Sequence, residues 1–233
     1  MSKSKLFLLA PAGAAALLAG VWLGSVLIPQ SLESLPKATD GSAKSGTTSD
    51  ADSPEWRGHV IHLPELREVA DFKLIQQTGQ PFTRADFKGH WSFLYFGYTY
   101  CPDACPLTLM DLNGLEQLLL RQGLGNDVAY WFISVDPERD TPQRLGEYVK
   151  YFNKKFQGAT GDPLELAKLA RQLSVIYVVP AHPSGASYPV DHSSTIVLID
   201  PDARFHAVFM PPHDPEALAA DFAKLREHYR AAR

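Results

Sequence analysis

One stretch of the chain constrains the fold more than any other. An apolar and aromatic run, Phe93–Phe96, ends at Gly97 and precedes a turn that holds Cys101 and Cys105, the only two cysteines of the 233-residue chain. A segment with helical periodicity, residues 107–120, comes next. This order predicts a buried strand, an exposed turn and a helix. Two thiols four residues apart at the start of a helix can face the same way, so they could form a disulfide or bind one soft metal ion.

The N-terminus predicts a membrane anchor. Lys3 and Lys5 precede an uncharged run over residues 6–28, which is long enough to cross a bilayer as a helix. The alternative is a cleaved signal peptide, for which Ala14–Ala16 is a weak cleavage site. The lysines favour a cytoplasmic N-terminus. We therefore expect residues 1–28 to form a cytoplasmic tip and a single transmembrane helix in the inner membrane, with the C-terminal body in the periplasm.

The remaining chain divides into a linker and one domain. Residues 29–57 are rich in Ser, Thr, Asp and Gly and show no apolar periodicity, as expected of a flexible linker that cannot form a core. Residues 58–233 are enough for one domain with a proper core. The net charge of −4 gives no basic excess for binding nucleic acid.

The body alternates apolar strands with helical segments. The run 128–135 is apolar throughout, which is typical of a strand covered on both faces, as in a parallel sheet. The other predicted strands are 71–75 and 78–83 as a hairpin, 91–96, 175–179, 194–199 and 205–209, and the other predicted helices are 141–152, 162–173 and 216–229. Residues 181–189 are predicted to be a loop or hairpin that projects from the fold. The pattern predicts an α/β fold with helices on both faces of a central mixed sheet.

A histidine is the candidate for a third ligand. Of the eight histidines, His192 lies where a strand begins after a flexible loop, and sites gather at strand ends along one edge of an α/β sheet. Imidazole often completes a site of soft-metal thiolates. A hydrogen-bonded loop histidine without a metal is the alternative. His213 is a weaker candidate for a spare ligand.

Three motifs resemble one family. Residues 95–106 (YFGYTYCPDACP), 133–142 (ISVDPERDTP) and 191–194 (DHSS) are similar to those of the Sco/SenC copper-delivery proteins, and the resemblance covers about residues 69–229. It implies a thioredoxin-like fold tethered to the membrane. It also implies that Cys101, Cys105 and His192 bind one copper ion, and that the protein loads the binuclear copper site of cytochrome c oxidase, with an upstream protein as a possible copper donor.

The chemistry of the residues agrees with that resemblance, with one departure. Two thiolates and one imidazole can hold Cu(I) in a trigonal site, and Cu(II) if an oxygen ligand joins. Cys105 lies near a helix N-terminus, where the dipole favours a thiolate. Many members of the family have His where Tyr100 stands, directly before the first cysteine. The part of the second motif over residues 136–142 is fully explained as a capped turn between a strand and a helix.

Three other functions compete with copper delivery. A thiol–disulfide oxidoreductase could use the same pair of cysteines, although the usual redox motif has two intervening residues and this chain has three. A thiol peroxidase is disfavoured because peroxiredoxins have Thr three residues before the reactive cysteine, where this chain has Tyr98. A copper sensor would need the same ligands as a copper chaperone, so the sequence does not separate these two.

Overall fold

The structure is a computed structural model that describes residues 56–183 and 187–233. All of these residues belong to one compact unit that spans Ala51–Arg233. The predicted anchor, residues 1–28, and nearly all of the predicted linker, residues 29–57, lie outside the described residues. Within the described part of the chain, no helix is both long enough and apolar enough to cross a bilayer.

A mixed sheet forms the centre of the domain. The described strands are β1 (Val60–Glu68), β2 (Lys73–Gln76), β3 (Pro81–Thr83), β4 (Trp91–Gly97), β5 (Val128–Ser134), β6 (Gln157–Thr160), β7 (Tyr177–Val178), β8 (Asp191–His192), β9 (Ile196–Ile199) and β10 (Arg204–Phe209). Eight of them form the main sheet in the order β1-β10-β9-β4-β5-β6-β2-β3, while β7 and β8 form a separate pair. Strands β4, β5 and β6 are parallel and the other pairs are antiparallel, which confirms the predicted mixed sheet.

Four α-helices accompany the sheet in the described residues. They are α1 (Ala104–Arg121), α2 (Pro142–Phe152), α3 (Pro163–Gln172) and α4 (Pro215–Ala231). Thr141, Asp162 and Asp214 cap the last three, and each accepts a hydrogen bond from a backbone N–H of the first turn. A proline follows each cap, where its fixed φ suits the first helical position and its missing N–H is not needed. These caps confirm the predicted starts of the three helices.

Strand β4 is the buried axis that positions the site. All seven of its residues are buried, and its side chains alternate between the two faces of the sheet. On one face, Phe222 of α4 packs against Trp91 and Phe93, with ring centroids 5.4 and 5.1 Å apart. On the other face, Trp131 lies beside Leu94 in register and stacks on Phe82 at 4.0 Å. Because β4 is packed on both faces, its carboxyl end is a rigid base for the loop that follows.

Three predictions about the elements are corrected. The segment 175–179 is not a strand of the main sheet, because only Tyr177–Val178 is extended and it pairs with Asp191–His192. Strands β1 and β6 were not predicted. Helix α1 begins at Ala104 rather than Leu107, so Cys105 lies inside its first turn.

Candidate metal centre

The two cysteines lie at the junction between β4 and α1: Cys101 is in the connecting loop and Cys105 is in the first turn of α1. After Gly97 the chain turns, and the Cys101 N–H donates to the Tyr98 carbonyl at 3.2 Å. A Cβ on Gly97 would lie 2.6 Å from Cys105 Sγ, so the absence of a side chain makes room for that sulfur. Cys105 is completely buried and Cys101 is partly exposed. The prediction that an exposed turn carries both thiols is therefore wrong for Cys105.

His192 reaches the cysteines from the small sheet. It pairs with Tyr177 across β7 and β8, and its ring lies edge-on to Tyr95 and Tyr98, with centroids 5.9 and 6.0 Å away. A proton on Nδ1 donates to the Ser193 carbonyl oxygen at 3.3 Å. This tautomer leaves Nε2 free to act as a ligand, and Nε2 lies 3.4 Å from Cys105 Sγ.

The three residues form one cluster of ligand atoms. The two sulfurs and a ring nitrogen of His192 all lie within 4.8 Å of one another, and no other such group of His, Cys, Asp and Glu occurs in residues 56–183 and 187–233. The fold thus brings together three residues that the sequence separates by up to 91 positions, from Cys101 to His192. His213 is not part of the cluster, because its Nε2 is hydrogen-bonded to the Ser194 carbonyl at 2.7 Å.

The two thiols differ in acidity. The pKa of Cys101 is lowered to about 4, first because the Cys105 thiol donates to it and then because the backbone N–H groups of Cys105 and Asp103 do so. The pKa of Cys105 is raised by the neighbouring Cys101 sulfur and by burial. The helix N-terminus therefore stabilises a thiolate on Cys101, because the Cys105 N–H lies 3.4 Å from Cys101 Sγ. The expectation that Cys105 would carry the thiolate is wrong.

The residues before Cys101 are tied to the turn that follows β5. The buried carboxylate of Asp140 accepts from the Thr99 N–H at 2.8 Å, from the Thr99 hydroxyl at 2.6 Å and from the Ser134 hydroxyl at 2.6 Å. Burial raises the pKa of Asp140. Tyr100, which departs from the pattern of the family, is half-exposed, and its ring lies beneath the Arg144 guanidinium at 4.1 Å.

The sequence did not predict that residues 136–140 support this site, through the hydrogen bonds of Asp140 to Thr99. A capped turn explained their composition completely, and only their match to a family motif signalled anything further. The prediction of a loop or hairpin over residues 181–189 is confirmed in part, because the flanking strands β7 and β8 pair as a hairpin. Tyr188, however, does not project from the fold but is buried against that turn.

The fold and the cluster define an α/β protein of the thioredoxin-like kind, with two cysteine sulfurs and one imidazole nitrogen placed to hold a metal ion at the end of its central strand. Comparison with known families identifies it further. The SCO1/SenC family model matches residues 62–227, and the chain belongs to this family.

Curated relatives agree with that assignment. The chain is 39% identical over 159 residues to protein SCO1 homolog 1, mitochondrial, of Arabidopsis thaliana, covering 68% of this chain and 47% of the relative. It is 35% identical over 174 residues to a putative copper-binding protein of Stutzerimonas stutzeri, covering 75% of this chain and 84% of the relative. The chain spans about half the length of some of the curated relatives it matches.

A solved structure agrees as well. The crystal structure of Arabidopsis thaliana ScoI with copper bound matches with a TM-score of 0.63 and 38% identity, over 69% of this chain and 98% of that one. The choice of copper is thus confirmed for the family, and this chain carries a set of ligands that suits it.

Proposed function

We propose that this protein binds one copper ion as cargo through Cys101 Sγ, Cys105 Sγ and His192 Nε2. The observation that carries the proposal is the convergence of these three atoms within 4.8 Å. Two sulfurs and one imidazole nitrogen form a soft donor set that suits Cu(I), and an added oxygen ligand would accommodate Cu(II). Hydrogen bonding of His192 Nδ1 to Ser193 orients the ring for coordination through Nε2.

The burial of the ligands favours transfer over permanent storage. Cys105 is buried beneath the loop, whereas Cys101 is partly exposed. An incoming ligand of a partner would therefore reach the copper ion from the Cys101 side. Exchange of ligands one at a time would pass the ion on without releasing it to water.

The recipient we propose is the copper-site subunit of cytochrome c oxidase. Sco proteins are described as a family of cytochrome c oxidase assembly proteins, and this chain belongs to that family. The apolar run over residues 6–28 with Lys3 and Lys5 before it supports a membrane anchor with the domain in the periplasm. In this arrangement the domain would lie in the periplasm and could reach an oxidase copper site that is exposed to the periplasm.

A thiol–disulfide reductase is the second candidate, and the different exposure of the two sulfurs favours it. In that reaction the Cys101 thiolate attacks a disulfide of a partner and forms a mixed disulfide, which releases one partner thiolate. Cys105, once deprotonated, then attacks Cys101 Sγ and releases the second. The partner gains two electrons, the protein ends with a Cys101–Cys105 disulfide, and an external dithiol must reduce it again.

Copper titration of the reduced full chain separates the two candidates. Without oxygen, we expect one Cu(I) per chain by competition with a chromophoric chelator, and a thiolate-to-copper absorption band after Cu(II) loading. His192→Ala should weaken binding and shift this band, while Cys101→Ala or Cys105→Ala should weaken binding further. Negligible binding of copper, together with rapid turnover of a disulfide substrate, would establish the reductase instead.

A further inference from the structure

The turn between β5 and α2 contacts both loops of the metal centre. This turn comprises residues 136–140, and a hydrogen bond joins its two ends: the Asp140 N–H donates to the Asp136 carbonyl at 3.0 Å. Asp140 holds Thr99, two residues before Cys101. The other side of the turn faces Tyr188 and His182. Both belong to the connection from β7 to His192, of which residues 179–183 and 187–190 are described; we refer to these residues as the His192 loop.

Arg139 makes the central contact with the His192 loop. Its guanidinium lies over the Tyr188 ring, with Cζ 3.5 Å from the ring centroid. Its Nη1 donates to the Tyr188 carbonyl at 2.9 Å, and its Nε donates to the Asp136 carboxylate. Planar stacking together with two directional hydrogen bonds is a geometry that arginine provides and lysine does not.

Two further contacts complete the attachment. The Tyr188 hydroxyl donates to Asp136 Oδ1 at 2.8 Å. The His182 ring stacks on Tyr188, with centroids 3.6 Å apart. Since the guanidinium and the imidazole both lie about 3.5 Å from the same ring, they occupy its opposite faces. Tyr188 is thereby buried although it lies in neither a helix nor a strand.

This attachment lies close to the ligand. Only Pro189, Val190 and Asp191 separate Tyr188 from His192, and β8 itself has only two residues. So short a strand pair holds a side chain in place weakly by itself. The Arg139 guanidinium also lies over Tyr98, with Cζ 5.5 Å from the ring centroid, and Tyr98 contacts the His192 ring edge-on.

We infer that Arg139 is a positioning residue for His192, acting through Tyr188 and Asp136 to hold the imidazole at the distance from the cysteines that copper binding requires. The inference rests on the proposed copper site. Arg139 touches none of the three ligands, and it fixes the loop that carries one of them. Loss of a residue that orients a metal ligand typically lowers metal affinity by about 10- to 100-fold.

Arg144 provides a matched control. It is a second arginine near the start of α2, it also lies over a tyrosine ring, that of Tyr100, and its Nε donates to the Thr99 hydroxyl at 2.6 Å. Arg144 therefore supports the cysteine loop. Arg139 also lies over the Tyr100 ring, with Cζ 5.0 Å from its centroid, but its closest contacts are with Tyr188 of the His192 loop. The two variants Arg139→Met and Arg144→Met remove the same charge from the same region, but only Arg139→Met removes the contacts with Tyr188.

A double-mutant cycle in the full chain tests the inference. Arg139→Met should lower Cu(I) affinity about tenfold and weaken the imidazole signature in the spectrum of the Cu(II) form. In a His192→Ala background the same substitution should have no further effect, while Arg144→Met should lower affinity in both backgrounds. Arg139→Lys should remain impaired, because it restores the positive charge without the planar stacking. Unchanged affinity in Arg139→Met, an equal loss in the His192→Ala background, or full recovery with lysine would overturn the inference.

A metal-free measurement separates failure of this inference from failure of the proposed function. In nuclear magnetic resonance spectra of the reduced protein, Arg139→Met should shift or broaden the signals of the His192 ring and of residues 187–193 more than those of Cys101 and Cys105. Unchanged His192 signals would refute the positioning role even if copper binds. If the wild-type chain bound no copper, the proposed function would fail, and these signals would still decide whether Arg139 positions the imidazole.

Discussion

Gly97 offers the sharpest test of how the fold makes room for the site. A Cβ at this position would lie 2.6 Å from Cys105 Sγ and 3.0 Å from the Phe132 ring. Nonbonded heavy atoms pack at about 3.5–4.0 Å, so the sulfur in Gly97→Ala must retreat by about 1 Å. A metal site tolerates shifts of only about 0.2 Å in ligand distances. The displacement therefore exceeds the tolerance several times over.

Two effects should follow from Gly97→Ala. Cu(I) affinity, measured by chelator competition, should fall at least about tenfold, as for other losses of ligand orientation. Overpacking should also cost about 1–3 kcal/mol of stability, which lowers Tm by several degrees in a domain of this size. Phe132 is buried in β5 and cannot move away easily.

Gly146→Ala in α2 is the matched control. A Cβ there meets its nearest atom, Gln77 Cβ, at 3.5 Å, which is an ordinary contact. Replacing a glycine inside a helix with alanine gains about 0.5–1 kcal/mol, so this variant should be at least as stable as wild type and bind copper equally well. Wild-type copper affinity in Gly97→Ala would refute the reasoning, because Cys105 Sγ could not then be a ligand in its observed position.

Three further predictions concern the thiols and the Asp140 carboxylate. Copper must displace the proton of Cys105, whose pKa is raised, so Cu(I) affinity should rise about tenfold per pH unit as long as Cys105 is protonated in the metal-free protein. A flat profile in chelator competition would exclude a protonated Cys105. Oxidation to a Cys101–Cys105 disulfide should abolish copper binding and reduction should restore it, as measured by copper content after desalting. Asp140→Asn should lose about 1–3 kcal/mol in chemical unfolding, while Asp103→Asn at an exposed cap without a side-chain bond should change stability by less than about 0.5 kcal/mol.

The central strand and three of the helices were predictable because strong local signals in the sequence mark them. An unbroken apolar run ending at Gly97 predicts β4, and a proline after a capping residue predicts α2, α3 and α4. The sequence singled out Cys101, Cys105 and His192, and the fold brings these three residues together. Their convergence follows from the antiparallel pairing of β9 with β4, which brings the start of β9, just after His192, beside the end of β4, just before the cysteines.

Strands β1 and β6 were not predicted, and each has a physical reason. Strand β6 has the sequence Gln-Gly-Ala-Thr, whose small residues have low β propensity. They are small because α2 lies close: a Cβ on Gly158 would be 3.1 Å from Leu145 Cβ. Strand β1 is at the edge of the sheet, contains a proline and shifts register between His62 and Arg67, so its alternation of polar and apolar residues is broken.

The acidity of the thiols and the attachment of the His192 loop required the structure. The position of Cys105 in the sequence predicts that the helix dipole acts mainly on its thiol. In the structure, burial raises the pKa of Cys105, and an N–H group at the helix N-terminus contacts Cys101 Sγ instead. Likewise, nothing in the composition of residues 181–189 indicates that Tyr188 is held between Arg139 and His182. Both features depend on contacts between segments about 40 residues or more apart or on depth below the surface, which local patterns do not encode.

X-ray absorption at the copper edge of the Cu(I)-loaded full chain identifies the atoms that bind the ion. The proposed site predicts two sulfur neighbours and one nitrogen neighbour, with the imidazole scattering lost in His192→Ala and one sulfur lost in Cys105→Ala. A copper ion without sulfur neighbours, or a spectrum that neither substitution changes, would contradict it.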